Sequence, residues 1–375
     1  MTTTVPGKLG RVDHAFGRSA PFTLGIEEEY QLLSAESHEL VPRFDEIAAE
    51  ANDERVRQEL MTSVLEAATG IHERVSEAIG EVRELRRRLR AAAEAHGALI
   101  ASAGTHPFSR WEHQEITDTP RYQGVVEELR WVAEQVAIFG LHVHVAVPDG
   151  DAAAATTTAV RTHIPELLAL SANSPYWQGH ATGLASTRSK VFETMPRSGL
   201  PPRLDSYAEF EQLVERGSAA GFFTDYTYLW WDVRPHPKLG TVELRAFDAQ
   251  TRIESVAAIA ALAQCLVATL AANRPAPQPR TFVDENKWRA ARYGLDADLV
   301  DLARDTERPA REAIRELLDA AEPVARRLGC GDDLAEVERI LDRGNGADEQ
   351  RRVHEEEGGL LAVSRWLADQ TVAGL

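Results

Sequence analysis

Apolar and polar positions alternate in three stretches of this chain, and in each the polar positions are of an unusual kind. Phe22 to Leu33 sets apolar residues around an acidic cluster. Gly140 to Pro148 alternates Leu141, Val143, Val145 and Val147 against His142, His144 and Ala146. Thr241 to Phe247 does the same around Glu243 and Arg245. A period of two predicts strands. Tyr226 to Val233 reads as a further strand, joined to Thr241–Phe247 through Pro235-His-Pro-Lys-Leu-Gly240, and Ala101 to Phe108 as a short strand running into a loop. Helical spacing predicts a long helix over Ser76 to Ala103, where Ile79, Val82, Leu85, Leu89 and Ala93 recur, with further helices at 44–52, 123–139, 160–171, 207–216 and 251–272. Asn173 to Pro202 has no period; a loop this long is usually functional. Residues 1–20 read as a flexible segment, Pro275-Ala-Pro-Gln-Pro279 as a stop and linker candidate, and 21–375 as a single catalytic domain, helical and highly charged from about 280. Strands gather in the first two-thirds without βαβ alternation, so the expected class is α+β with a largely antiparallel sheet.

The three strands carry the candidate chemistry. Each places two polar groups at i and i+2: Glu27/Glu29, His142/His144 and Glu243/Arg245. Residues two apart in a strand share a face, so each pair can project into one cavity over a sheet. Glu28 must face the other way and is the internal control, expected to be structural. Like charges crowded at i and i+2 are costly unless a cation lies between them. Glu59 and Glu66 add two more acids; seven apart, they share a face in a helix but not in one strand, so a bend or helical turn must intervene if both serve the site. Carboxylates with an imidazole and no thiolates favour Mg2+ or Mn2+ over zinc. Five glutamates converging need more than one cation, and several such ions beside an arginine suit phosphoryl transfer. No Walker-A, GxGxxG or HExxH sequence occurs.

The remaining composition narrows the choice. The net charge of −18 argues against nonspecific binding to nucleic acid or anionic membrane. Cys265 and Cys330 are the two cysteines, which favours a reducing cytoplasm over a disulfide framework; Cys265 reads as a buried small apolar residue. Trp230 and Trp231 read as core or pocket wall on opposite faces. The apolar run Val256–Ala272 is interrupted by Gln264 and reads as a buried helix rather than a membrane span. Small-molecule substrates are the expected partners, and a homodimer is a candidate assembly, being common among enzymes in general.

Longer stretches carry a resemblance. Gly25-Ile-Glu-Glu-Glu29, Gln58-Glu-Leu with Leu65-Glu66, Gly140-Leu-His-Val-His-Val145, Ser171-Ala-Asn-Ser-Pro-Tyr-Trp-Gln178, Ser186-Thr-Arg-Ser189, Phe192-Glu-Thr-Met-Pro-Arg-Ser-Gly199, Trp230-Trp-Asp-Val-Arg-Pro-His236, Val242-Glu-Leu-Arg245 and Phe247-Asp-Ala-Gln-Thr-Arg252 resemble the bacterial carboxylate–amine ligases of the glutamate–cysteine ligase type 2 group. The resemblance runs from about Phe22 to at least Tyr293. It implies a glutamine-synthetase-like catalytic funnel over the sheet, with ATP and two or three Mg2+ ions, in which a carboxylate is phosphorylated and an amine displaces phosphate. It implies that Glu27, His142 and Glu243 hold the metal beside the nucleotide and that Glu29, Glu59 and Glu66 hold the one near the substrate carboxylate, with Glu66 also catalytic. It implies that Arg245 steadies the transferring phosphoryl, that His144 assists in nucleotide binding, and that Arg188 and Arg252 bind substrate. Asn286, Arg289 and Arg292 are weaker candidates to reach the site. Two other classes are a regulator that keeps the fold without turnover, and a metal-dependent hydrolase built on His142 and His144, which would act without nucleotide.

Overall fold

The computed structural model describes residues 13–273 and 276–375. The expected N-terminal segment and the Pro275–Pro279 stop therefore fall partly outside the described residues. Nine strands belong to the part that forms the site: β1 (Leu24–Ser34), β2 (Val56–Gln58), β3 (Val64–Ala68), β4 (Ala98–Ala101), β5 (Gly140–Ala146), β6 (Tyr176–Trp177), β7 (His180–Ala181), β8 (Val233–His236) and β9 (Thr241–Asp248). Seven of them make one antiparallel sheet in the order β2-β3-β1-β5-β9-β8, with β4 also on β1; β6 and β7 form a small separate hairpin. This is the α+β class with a large antiparallel sheet that the strand pattern predicts.

One face of the sheet is dry. Leu24, Ile26, Leu141, Val143, Val145, Val242 and Leu244 are buried, packed in one core with residues of the Val75–Ala95 and Ile253–Asn273 helices. The Ile253–Asn273 helix is long and apolar enough to cross a membrane, but 83% of its most apolar window is buried inside the protein. Its interrupting Gln264 donates to the carbonyls of Phe22 and Glu73, so even its polar residue serves the interior. Helices Arg280–Tyr293, Ala310–Leu328, Gly331–Arg343, Gly346–Val353 and Leu360–Thr371 follow, and Cys265 meets Cys330 here, Sγ to Sγ 3.5 Å, buried and unbridged.

Several boundaries differ from the sequence reading. The Val75 helix ends at Ala95 because Gly97 takes a left-handed φ of +66° and turns the chain into β4. The helix expected over 123–139 runs over Pro120–Leu129 and Trp131–Glu134, broken where Arg130 adopts φ +52°. Gly150–Val160 forms an additional helix, started by the Asp149 side chain accepting from the Ala152 amide. Tyr226–Tyr228 is a 3-10 turn rather than strand, since the Asp225 carboxylate caps it; the strand begins only at Val233.

Candidate active site

Strand register builds the site. Across the sheet, Arg57 pairs with Glu66 and Glu66 with Glu29; Glu27 pairs with His142; His144 pairs with Glu243 and Glu243 with Arg234. Residues directly opposite in antiparallel strands lie about 4.5–5.5 Å apart, so three pairs distant in sequence become one continuous polar strip. Between Leu141 and Val143 the β5–β9 register slips, leaving Arg245 and Ala246 opposite the single residue His142. Such a bulge re-aims a side chain, and Arg245 reaches Glu243 on the same face.

Glu59 and Glu66 meet without a helix. Glu59 follows β2 and Glu66 lies within β3, so the bend demanded by their odd spacing is a hairpin connection. Tyr122 donates to the Gln58 carbonyl (3.1 Å) and to Glu59 Oε2 (3.3 Å). One oxygen or ring nitrogen each from Glu29, Glu59 and Glu66 lies within 4.8 Å of the others, as does one each from Glu27, His144 and Glu243, and from Glu27, Glu66 and His142. The partner that joins Glu27 and Glu243 is thus His144, while His142 joins Glu27 and Glu66.

The electrostatics have the same division. Burial and the negative charge of Glu29 push the Glu59 carboxyl up to about 7, and burial with Glu27, Glu59 and Glu29 holds Glu66 well above the carboxylate range. Burial also opposes ionisation of Glu27, but the charge on His144 and contacts with His142 and His144 outweigh it and hold Glu27 well below that range. Glu243 is buried yet held low by Arg234 (Nε to Oε2 2.6 Å) and by Arg245. Nε2 of both His142 and His144 is buried with no hydrogen-bond partner; the nearest carboxylate oxygens are 3.9 Å away on Glu29 and 3.5 Å away on Glu27. Acids that repel one another beside unsatisfied imidazole nitrogens are a donor set that divalent cations would complete.

Two cavities open over this strip. The first, about 440 Å³, includes Glu29, Glu59, Arg188, Phe192, Trp230 and Arg245 in its wall. The second, about 540 Å³, runs past Gly25, Ile26, Thr69, Ile71, Tyr226 and Leu239; Glu27, Arg57, His144, Thr227 and His236 face both. Arg188 is buried beside Gly140, its Nη1 3.4 Å from the Arg245 carbonyl, its guanidinium over the Phe192 ring, and its Nε without a partner. Its loop is pinned from below by buried Asp248, which accepts from the Asn173 amide (2.7 Å) and from the hydroxyls of Ser174 (2.6 Å) and Ser186 (2.8 Å); Ser174 Oγ in turn accepts from the Arg188 amide.

Residues 23–365 match the family model described as Glutamate-cysteine ligase family 2 (GCS2). The chain belongs to that family. A relative named "Putative glutamate--cysteine ligase 2-3" from Rubrobacter xylanophilus is 49% identical over 360 residues, covering 95% of this chain and 99% of the relative. Another, from Solibacter usitatus, is 41% identical over 364 residues, 94% of each chain. Among solved structures, a glutamate–cysteine ligase from Francisella tularensis in complex with AMP aligns with TM-score 0.67 at 14% identity, over 94% of this chain and 89% of that one. A bifunctional glutathione synthetase from Pasteurella multocida aligns with TM-score 0.71 at 14% identity, over 94% of this chain and 52% of that one. The family is one of ligases, and the fold is shared with these two enzymes.

Against that family background, the residues singled out from sequence separate cleanly. Glu27, Glu29, Glu59, Glu66, His142, His144, Arg188, Glu243 and Arg245 all line the first cavity. Arg252 does not: its guanidinium pairs with Glu349 (2.9 Å) and Gln370 (2.7 Å) and lies over Trp366, so the substrate contact expected of it is withdrawn. Asn286 is spent on the Val300 backbone, Arg289 on Glu285 and Glu307, and Arg292 on the Gly183 carbonyl. Glu28 points to the dry face, 2% exposed, against buried Arg86 and the Tyr30 hydroxyl; Arg86 also donates to the carbonyls of Gln250, Thr251 and Thr371. Trp230 lines the cavity and Trp231 lies in the core. Arg57, Tyr122, Arg234 and Asp248 were not singled out beforehand. Arg234 and Arg57 had a signal in hindsight, since each stands at a register position opposite a site glutamate.

Proposed function

We propose that the protein joins glutamate to the amine of cysteine or a related compound, using ATP, through an acyl-phosphate intermediate. The observation that carries the reading is the paired acidic clusters, Glu27–His144–Glu243 and Glu29–Glu59–Glu66, on one sheet face beside two cavities that share wall residues. The second cavity, with Ile71, Tyr226 and Leu239 in its wall, suits a nucleotide base; the first, with Arg188 at its floor, suits the donor amino acid.

In this reading the two clusters and His142 hold Mg2+, which would supply positive charge to the triphosphate and to the transferring group. The remaining work falls to the chain's own groups. Arg188 grips the donor's α-carboxylate, its unpartnered Nε and buried fork giving a planar, charge-assisted contact. That fixes the donor's other carboxylate toward Glu29 and Glu66. A carboxylate oxygen bonds to the terminal phosphorus as the bridging bond breaks, yielding ADP and an acyl phosphate. Arg245, fixed by Glu243, offsets charge on the phosphoryl oxygens. The amine then bonds to the acyl carbon, releasing phosphate and one proton, with Glu66 the acid set nearest the reacting carboxylate. No protein nucleophile is required. Purified protein with Mg2+, ATP and glutamate should release phosphate only when an amine is added, with the amide seen by mass spectrometry. Phosphate release that ignores the amine, or product formed without nucleotide, would refute the reading.

A further inference from the structure

Resting on that ligase reading, we infer that Arg121 is the residue that recognises the acceptor's carboxylate and so sets a preference for an α-amino acid over a simple amine. Five arginines among the described residues line the first cavity: Arg57, Arg121, Arg188, Arg234 and Arg245. Three are already committed to carboxylates. Arg57 lies 3.7 Å from Glu27 and 3.6 Å from Glu66, and Arg234 and Arg245 share Glu243. Two have no carboxylate within 4 Å among the described residues. One is Arg188, buried at the floor and taken by the donor. The other is Arg121, whose contacts are both neutral: Nη2 donates to the Thr227 hydroxyl (3.2 Å) and the guanidinium lies over the Tyr228 ring (5.3 Å to the centroid).

The position of Arg121 fits the second substrate. It sits in the first turn of the Pro120–Leu129 helix, next to Tyr122, whose hydroxyl contacts Glu59 in the acidic cluster. An acceptor held by Arg121 therefore presents its amine toward the acids beside which the acyl phosphate forms. Arg121 lines the first cavity and not the second, which separates it from the base-binding side. The helix is also able to respond: Val125 is its one buried side chain, and its ties to the opposite wall are the Arg121–Thr227 contact and the Glu128–Arg197 ion pair (3.1 Å). Exchanging a neutral hydroxyl for a carboxylate strengthens the Arg121 contact, since charge-assisted hydrogen bonds are roughly twice as strong as neutral ones.

The test compares L-cysteine with cysteamine, the same amine and thiol without the carboxylate, at saturating ATP and glutamate. The wild type should favour L-cysteine in kcat/KM by about 10- to 100-fold. Arg121→Met, which keeps the aliphatic stem, should bring the ratio to about 1, and Arg121→Lys should retain part of it, with KM for ATP and for glutamate within about twofold of wild type. A wild-type ratio near 1, a ratio unmoved in Arg121→Met, or a change falling on ATP or glutamate instead would each overturn the assignment. Product from both amines with no discrimination overturns this inference alone, whereas no ATP-dependent product from either overturns the ligase reading with it.

Discussion

Gly140→Ala tests the placement of Arg188 most directly, because Arg188 is the group a new Cβ would press hardest. Gly140 is the first residue of β5, buried and at an ordinary φ, so an alanine is compatible with the strand itself. A Cβ there would stand 2.3 Å from Arg188 Nη2, 3.0 Å from its Cζ and 3.1 Å from His142 Nε2. Nonbonded heavy atoms need roughly 3.5 Å, so the guanidinium must retreat by about 1 Å. Burial and the Phe192 ring leave Arg188 little room to do so without tilting its fork. Misplacement by ~1 Å costs on the order of 100-fold when a group orients a reacting substrate. The expected result is a rise of about 10- to 100-fold in KM for glutamate with KM for ATP nearly unchanged, because ATP is assigned to the other cavity. Steady-state phosphate release at varied glutamate, then at varied ATP, measures both. A thermal melt on the same samples separates displacement from damage: replacing glycine in a strand removes unfolded-state entropy, so the variant should melt within a few degrees of wild type. A folded variant with an unchanged KM for glutamate would show that Arg188 does not hold the donor.

The remaining predictions concern the two faces of β1 and the loop beneath Arg188. Glu27→Gln should abolish turnover, whereas Glu28→Gln should keep turnover per folded molecule but lower stability by about 3 to 5 kcal/mol in urea unfolding, since it strands buried Arg86; equal losses of activity from both would sink the two-face geometry. Mg2+ should raise the melting temperature, and the rise should shrink sharply in Glu59→Gln/Glu66→Gln, read by differential scanning fluorimetry with and without a chelator. Asp248→Asn should raise KM for glutamate with a smaller change in kcat, because the amide retains one acceptor oxygen where three donors now converge; Asp248→Glu, too long for the Ser174 and Ser186 hydroxyls, should not rescue it.

How much of this was legible in the chain differs by feature. Glu27, Glu29, His142, His144, Glu243 and Arg245 were visible because strand alternation fixes which residues share a face, whatever the neighbours are. The class of fold followed from the same alternation. Glu59 and Glu66 were visible as acids from the local pattern and as partners only through the family resemblance, since their meeting depends on a hairpin that no period announces. Which histidine joins Glu243 was hidden as well: it is set by cross-strand register between segments about a hundred residues apart in sequence, and by a bulge opposite His142. Arg252 misled for a related reason. It lies in a stretch typical of the family, yet the turn after β9 carries it past the end of the sheet to Glu349 and Gln370. The Tyr226 segment looked like a strand from its aromatic residues; Asp225 makes it a capped turn instead.

The Arg86 anchor has a consequence for the order in which the protein can be finished. Glu28 is among the first site-flanking residues made, and Arg86 follows 58 positions later. The Thr371 carbonyl that completes the Arg86 shell arrives 285 positions after that. At a synthesis rate of about 5–20 residues per second the interval is roughly 15 to 60 s. Until then Arg86 lacks one of the three carbonyl acceptors that surround it in the folded protein. The strand that carries Glu27 and Glu29 is thus translated early, but the Arg86 shell behind it is completed late, when the Leu360–Thr371 helix docks.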